Sequence, residues 1–171
     1  RLPADCDPAR LTVEVEDLPG FEVARGFGPG GEGWRWRLES AWLAGPRLDI
    51  RGRYEGIGEP LPVSLSLRIE GKTLILRADG PAGPFAFSLG TLGAVPFRRT
   101  ISIPYLFAGD LRYLPDSGLY YSAVLDWART NASDHAGTLA HYAELTDGRR
   151  NPLHEVGYIT VSPDLREVLP N

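Results

Sequence analysis

Apolar and polar side chains alternate with a period of two in short runs along most of this sequence. In residues 47–55, Leu48, Ile50 and Tyr54 alternate with Arg, Asp and Glu, and residues 63–69 repeat the pattern with Val, Leu, Leu and Ile as the apolar set. Successive side chains of a β-strand point to opposite faces of a sheet, so each alternating run predicts a strand that buries one face. The chain is therefore expected to form sheets that pack through their apolar faces.

Glycine and proline residues separate these runs. The chain has 20 glycines and 15 prolines among 171 residues, and both residue types favour turns. Gly71-Lys72 predicts a two-residue hairpin turn, and residues 114–118 predict a second turn. The predicted strands lie at residues 11–16, 21–25, 34–43, 47–55, 63–69, 74–78, 85–89, 99–105, 119–127 and 156–161.

About ten short strands with this spacing predict an all-β fold, a two-sheet antiparallel sandwich or jelly roll. The length of 171 residues and the hydrophobic content of 43% suit one domain with its own core. Residues 1–171 are therefore expected to form a single β-sandwich domain.

One short helix is predicted near residues 133–145. Ser133 can cap its N-terminus, and Leu139, Tyr142 and Ala143 would share one helical face. This segment is the exception in a chain that otherwise has the pattern of strands.

Charge and hydropathy argue against two classes of partner. The net charge of −4 disfavours nucleic acid, whose phosphates are bound by clustered Lys and Arg. No apolar run approaches the length of a membrane-spanning helix, so no membrane partner is predicted. The chain begins at Arg1 and contains no methionine, so we expect it to be excised or processed from a longer protein.

Gly26, Gly28 and Gly31 match the spacing of a dinucleotide-binding loop. That motif functions only where the glycines open a helix, whose N-terminus holds the pyrophosphate. The residues after Gly33 instead alternate with a period of two, which predicts a strand, and Pro29 removes one backbone donor. The sequence therefore indicates a hairpin loop, and no cofactor is predicted from it.

Polar side chains are densest between residues 126 and 155, in connections that are long for a compact β domain. Long connections often carry binding groups, so this segment is the main predicted ligand site. Residues 146–152 also have a purely structural interpretation, as a turn whose Asp and Asn side chains bond their own backbone. With one tryptophan from an earlier strand, the ligand-binding candidates are Trp127, Asp126, Trp42, Asn131, Tyr142, Asp147, Arg150, Asn151 and Glu155.

The metal ligands in this segment form no recognised motif. Its three histidines are far apart, whereas zinc sites use closely spaced pairs, so no metal site is predicted from them. Ca²⁺ is the alternative cofactor, because carboxylate and carbonyl oxygens in loops suit it. The carboxylates that such a site would use are Asp126, Asp134 and Asp147.

The tryptophans are a second set of candidate ligand-binding residues. Trp34, Trp36 and Trp42 share one face of a regular strand, and exposed aromatic faces stack on the apolar faces of sugar rings. The favoured interpretation places this face in the core, because the opposite face carries Arg35 and other charged residues. Trp42, near the strand end, and Trp127, beside the polar segment, are expected to be the exposed pair.

Residues 103–171 carry the stretches "IPYLFAGD", "GLYYSAVLDWARTNAS" and "TDGRRNPLHEVGYITVSPDLREVLPN". This part of the chain resembles the N-terminal β-sandwich region of large bacterial proteins that look like glycoside hydrolases. In those proteins a barrel-like catalytic domain follows the sandwich. The resemblance implies a bacterial, carbohydrate-active protein that is secreted, periplasmic or on the cell surface. It implies no catalytic residue in this chain.

Three hypotheses for function follow. The leading one is a non-catalytic module that binds carbohydrate or shapes the cleft of a neighbouring catalytic domain. The second is a structural module whose sheet edges pack against copies of itself or a partner domain. The third is a small glycan-acting enzyme with Asp126, Asp147 and Glu155 as candidate acids.

Overall fold

The computed structural model describes residues 21–22, 28–29, 32–89, 91–92, 99–102 and 109–169. Within them, fourteen strands and one short helix are formed. The first seven strands are β1 (Phe21–Glu22), β2 (Gly28–Pro29), β3 (Arg35–Ala44), β4 (Arg47–Glu55), β5 (Leu61–Glu70), β6 (Thr73–Ala82) and β7 (Phe85–Ser88). The remaining elements are β8 (Thr91–Leu92), β9 (Arg99–Thr100), β10 (Gly109–Leu114), β11 (Leu119–Leu125), β12 (Asp134–Ala136), β13 (Leu139–His141), β14 (Pro152–Ser162) and α1 (Leu165–Val168).

These strands form a large sheet and a small sheet. The large sheet has the order β3-β4-β5-β6-β14-β11-β10-β9, the small sheet has the order β12-β13-β7-β2, and β1 pairs with β8 separately. All pairings are antiparallel. The predicted all-β antiparallel sandwich is confirmed.

Both predicted turns are confirmed. Glu70 pairs with Thr73, so Gly71 and Lys72 alone connect β5 to β6, and Gly71 has the positive φ of 56° that suits glycine in such a turn. The turn at residues 114–118 also forms, but it connects β10 to β11. Sequence analysis did not identify β10 as a strand.

The hydrophobic core lies between the two sheets. The large sheet contributes side chains from β4, β5, β6, β10, β11 and β14, and the small sheet contributes β7 and β13. Ile50 in β4 and Phe87 in β7 are almost completely buried. The alternation in the sequence therefore produces the expected two-layer packing.

Strand β3 contains a β-bulge at Glu39. Leu38 pairs with Gly52 and Ser40 pairs with Arg51, so Glu39 has no partner in the ladder. An extra residue in a strand reverses the alternation of side chains beyond it. A side chain at Gly52 would overlap a tryptophan ring of β3, which explains why glycine occupies this position.

The bulge separates Trp42 from Trp36 in β3 and from Trp34, which directly precedes the strand. Trp34 and Trp36 pack against the core, and the Trp36 ring lies 5.0 Å from that of Tyr54. Trp42 lies beyond the bulge on the opposite face and is 64% exposed. The prediction that these three tryptophans share one face is therefore wrong for Trp42, whereas its predicted exposure is confirmed.

The helix predicted at residues 133–145 is not formed. Residues 134–141 make the hairpin β12–β13 instead, and β13 pairs with β7 of the small sheet. Ser133 caps no helix, since its hydroxyl donates to the His141 carbonyl and accepts the Ala143 N–H. Gly137 turns the hairpin with a φ of 63°. Tertiary pairing with β7 outweighs the weak helical pattern.

The helix that does form is α1, which lies against β14 and β11. Asp164 caps it by accepting the Arg166 N–H. No helix in the described part of the chain has the length and apolar character needed to cross a bilayer. The predicted strand at 11–16, residues 23–25 of the predicted strand at 21–25 and residues 103–105 of the predicted strand at 99–105 lie outside the described residues. So do Gly26 and Gly31 of the predicted hairpin loop.

Candidate functional site

The face of the large sheet that points away from the core carries a groove of about 940 Å³, which we call the outer groove. It crosses β3, β4, β5, β6 and β14, and Arg129 reaches it from the loop after β11. This volume lies in the range of ligand pockets. The outer groove arises because five adjacent strands place their polar alternate residues on the same face.

Two cross-strand rows form much of the floor. The first row runs Trp42, Asp49, Ser66 and Arg77 from β3 to β6. The second row runs Ser40, Arg51, Ser64 and Asp79 across the same strands. Neighbouring strands lie about 4.8 Å apart, so each row extends about 14 Å across the sheet. The floor is thus a lattice of hydroxyl, carboxylate and guanidinium groups bordered by one indole ring.

Arginine–carboxylate pairs order this lattice. Arg47 binds Asp49 with a 2.8 Å contact, and its hydrogen bonds hold the pKa of the Asp49 carboxyl below the ordinary value. Arg77 binds Asp79 at 2.8 Å, and His154 Nδ1 lies 2.6 Å from the same carboxylate. Partial burial acts to raise the pKa of Asp79, but the bonds to Arg77 and His154 outweigh it and the pKa is lowered.

Asp126 borders the outer groove beside β14. It accepts a 3.0 Å hydrogen bond from the Tyr158 hydroxyl, lies 3.6 Å from the Arg129 guanidinium and accepts the Ala128 N–H. Burial, together with the bond to Asp126, raises the pKa of Tyr158. Of the predicted candidates, Trp42 lines the outer groove, and Asp126 supports two residues that line it.

Trp127 is 54% exposed, as predicted, but it does not line the outer groove. Its ring is stacked on His135 of β12, with 6.3 Å between the ring centroids and 9° between the planes. The structure therefore places the two exposed tryptophans in different surroundings.

Three of the polar candidates hold loops together. Asp147 accepts the Arg149 N–H and pairs with its guanidinium, so the structural interpretation of the turn at residues 146–152 holds for this residue. The Asn151 side chain instead donates to the Asn131 carbonyl at 2.7 Å. None of these residues lines the outer groove.

Arg150 borders a second, smaller hollow of about 470 Å³. Trp34, Ile57 and Leu61 contribute to its lining, and Arg150 also pairs with Glu144 at 3.0 Å. The hollow has fewer polar groups than the outer groove, which makes it the weaker candidate.

Tyr142 and Glu155 are buried among the core-facing side chains. Glu155 is fully buried and accepts hydrogen bonds from the Tyr142 hydroxyl at 2.7 Å and the Thr130 hydroxyl at 2.5 Å. Its other oxygen, Oε2, has no hydrogen-bond partner among the described residues. Burial and the bond to Glu155 raise the pKa of Tyr142 well above its ordinary value. Both candidates are out of reach of a ligand on the surface.

The three candidate acids do not form a joint site. Glu155 faces the core, Asp147 is engaged with Arg149 in an exposed turn, and Asp126 binds Tyr158 on the other side of β14. Within the described ranges, no three His, Cys, Asp or Glu side chains are grouped as a metal site requires. The predicted calcium ligands Asp126, Asp134 and Asp147 are not brought together.

Most of the outer groove was not predicted from the sequence. Residues 47–51 and 64–68 were recognised as strands with polar alternate positions, but nothing in the sequence shows which strands become neighbours. The signal available was the arginine on the outward face of β3, β4, β5 and β6. Comparisons of the chain with family models, curated proteins and solved structures return no match.

Proposed function

We propose that this β-sandwich is a non-catalytic module that binds a carbohydrate chain in the outer groove. The observation that carries the proposal is Trp42, a 64% exposed indole at the border of a polar groove that spans five strands. An aromatic ring offers an apolar platform for one sugar ring, and the hydroxyls and charged groups of the floor offer hydrogen bonds to its neighbours.

The shape of the outer groove supports a chain ligand over a compact one. Each cross-strand row is about 14 Å long, which is enough for several linked sugar rings. The floor is built on strands, and ion pairs such as Arg47–Asp49 and Arg77–Asp79 order part of it before the ligand arrives, so less conformational entropy is lost on binding. The resemblance to glycoside-hydrolase-like proteins points to the same ligand class, and the bacterial and exported context remains a prediction from it.

The test is affinity gel electrophoresis of the chain against a panel of soluble neutral and acidic polysaccharides, with release of reducing ends assayed on the same panel. We expect binding without release. Trp42→Ala should weaken binding by about tenfold, because the stacking platform is lost. Trp127→Ala is the matched control, since it removes an exposed tryptophan that does not line the outer groove.

Three results would contradict the proposal. The first is no retardation by any polysaccharide, and the second is release of reducing ends, which would indicate an enzyme. The third is loss of binding in Trp127→Ala with unchanged binding in Trp42→Ala, which would place the binding site at Trp127 and outside the outer groove. Circular dichroism of both variants verifies that they are folded.

A second candidate function is contact with another protein surface, either a neighbouring domain or a second copy. Leu43 and Ile69 are 70% and 54% exposed, lie on the core-facing side of the large sheet and flank the β3–β4 turn. Exposed apolar side chains of this size are typical of contact sites. Light scattering over a range of concentrations tests the self-association form, and a constant monomer mass would exclude it.

A further inference from the structure

We infer that the outer groove takes an acidic polysaccharide, a chain of uronate sugars, and that Arg51 binds a ligand carboxylate. This inference rests on the proposed function and narrows its ligand class. It follows from the charges of the lining residues, from their pairing and from the position of Arg51.

The outer groove is cationic on an anionic protein. Five arginines and three carboxylates line it, and Asp126 at its border is a fourth carboxylate, which leaves an excess of positive charge, whereas the whole chain has a net charge of −4. A cleft lined with an excess of one charge concentrates ligands of the opposite charge. The lining therefore favours an anionic ligand over a neutral one.

Four of the five arginines already have a carboxylate of their own. Arg47 pairs with Asp49, Arg68 with Glu70, Arg77 with Asp79 and Arg129 with Asp126. Arg51 forms no hydrogen bond or ion pair with any residue of the described ranges, and it is exposed. The Arg51 charge contributes to the lowered pKa of Asp49, but its guanidinium N–H groups make no hydrogen bond within the described ranges and can therefore bind a carboxylate that the ligand supplies.

The position of Arg51 suits a sugar acid. Its cross-strand neighbours are Ser40 and Ser64, whose hydroxyls can bond ring hydroxyls beside the carboxylate. Trp42 is its diagonal neighbour on β3, and such positions lie about 7–8 Å apart, within reach of long side chains. A sugar ring on Trp42 and a carboxylate on Arg51 can therefore belong to the same short stretch of ligand.

A uronate fits this arrangement better than a nucleic acid. Nucleic-acid binding depends on several cations that neutralise successive phosphates, whereas only one cation of the outer groove lacks a partner. A guanidinium can bind a carboxylate through two parallel hydrogen bonds, as Arg166 does with the two oxygens of Asp164 through Nε and Nη2. The single free arginine therefore matches a polymer with isolated carboxylates.

The test compares polygalacturonate with the same polymer fully methyl-esterified, which keeps the chain and removes its charge. Heparin and single-stranded DNA serve as sulfated and phosphate-bearing polyanions. We expect the chain to bind polygalacturonate more tightly than the other three, and binding should weaken as salt is added. Arg51→Gln should weaken it by about tenfold. Arg35→Gln is the matched control, because it removes the same charge from an exposed position of β3 outside the outer groove.

The outcomes separate this inference from the proposed function. Equal binding of the esterified polymer, with Arg51→Gln unaffected, would overturn the acidic ligand and leave carbohydrate binding intact. Tighter binding of heparin or DNA than of polygalacturonate would overturn the assignment of a uronate chain as the ligand. Equal losses of affinity in Arg51→Gln and Arg35→Gln would show that only the net charge of the protein matters, and would overturn the role assigned to Arg51. Failure to bind any glycan would overturn the proposed function itself.

Discussion

Glu155 and Tyr142 show how burial converts two polar residues into structural ones. The Tyr142 hydroxyl donates to the Glu155 carboxylate and accepts the His154 N–H at 3.0 Å. It thereby ties the segment after β13 to β14 across the core. Sequence analysis placed both residues in a ligand site because they lie in a polar segment, and their burial was not visible from the chain.

Tyr142→Phe is expected to destabilise the fold by about 1–3 kcal/mol at neutral pH, because the buried Glu155 carboxylate loses a donor and the part-buried His154 N–H loses its acceptor. The pKa of Tyr142 is raised in the folded state, so the folded state holds its proton more tightly than the unfolded state does. The stabilisation by the hydroxyl is therefore present below pH about 10 and is lost as the pH rises above it. Urea unfolding of the native chain and of Tyr142→Phe at several pH values measures the difference.

Tyr120→Phe is the control for that measurement. Tyr120 is half-buried and its ring lies 4.9 Å from that of Tyr113. Removing the Tyr120 hydroxyl should change the free energy of unfolding only slightly at every pH. A difference between the native chain and Tyr142→Phe that stayed constant from neutral pH to pH about 11 would contradict the assigned role.

The hairpin β12–β13 shows where reasoning from a single element fails. Residues 133–145 contain a capping residue and a helical face, and nothing local reveals that β7 offers an edge for pairing. Strands with clean alternation, such as β4 and β5, were predicted nearly to their observed bounds. The period of two in their apolar residues predicts both that they form strands and which face of each strand is buried. The bulge in β3 is the intermediate case, since the strand was predicted and the orientation of its second half was not.

Gly137→Ala distinguishes the two interpretations of this segment. In a helix the substitution would stabilise by about 1 kcal/mol, because alanine has the higher helix propensity. In the hairpin, where Gly137 has a φ of 63°, it should instead destabilise by about 1 kcal/mol. Thermal unfolding measures the sign, with Thr138→Ala as the neighbouring control. A rise in unfolding temperature would contradict the hairpin.

At the scale of the whole molecule, charge pairing is concentrated on exposed faces. Hydrogen bonds from an arginine or lysine help to hold the pKa of six carboxyls below the ordinary value, and for Asp164 the value is about 2. The six are Asp49, Glu55, Asp79, Asp147, Asp164 and Glu167. The sequence displays these charges, but their pairing depends on register, which appears only once the sheet is assembled.

These carboxyls predict acid sensitivity. A lowered folded pKa gives stability that is present above the unfolded value of about 4 and is lost as the pH falls through the folded pKa. Stability should therefore be flat near neutral pH and fall below pH about 4. Urea midpoints between pH 6 and pH 2 measure this, and a constant midpoint down to pH 3 would contradict it. Added salt at neutral pH should have a small effect, because exposed pairs contribute little.

The order of the large sheet also bears on how the protein is made. Strands β3 to β6 and β9 to β11 are two separate ribbons, and β14 joins them by pairing with β6 on one side and β11 on the other. A ribosome synthesises β14 after every other described strand, so the emerging chain exposes two long unpaired edges until then. Such edges template aggregation. The nascent protein thus passes through a stage in which a chaperone that shields β6 and β11 would raise the yield of folded molecules.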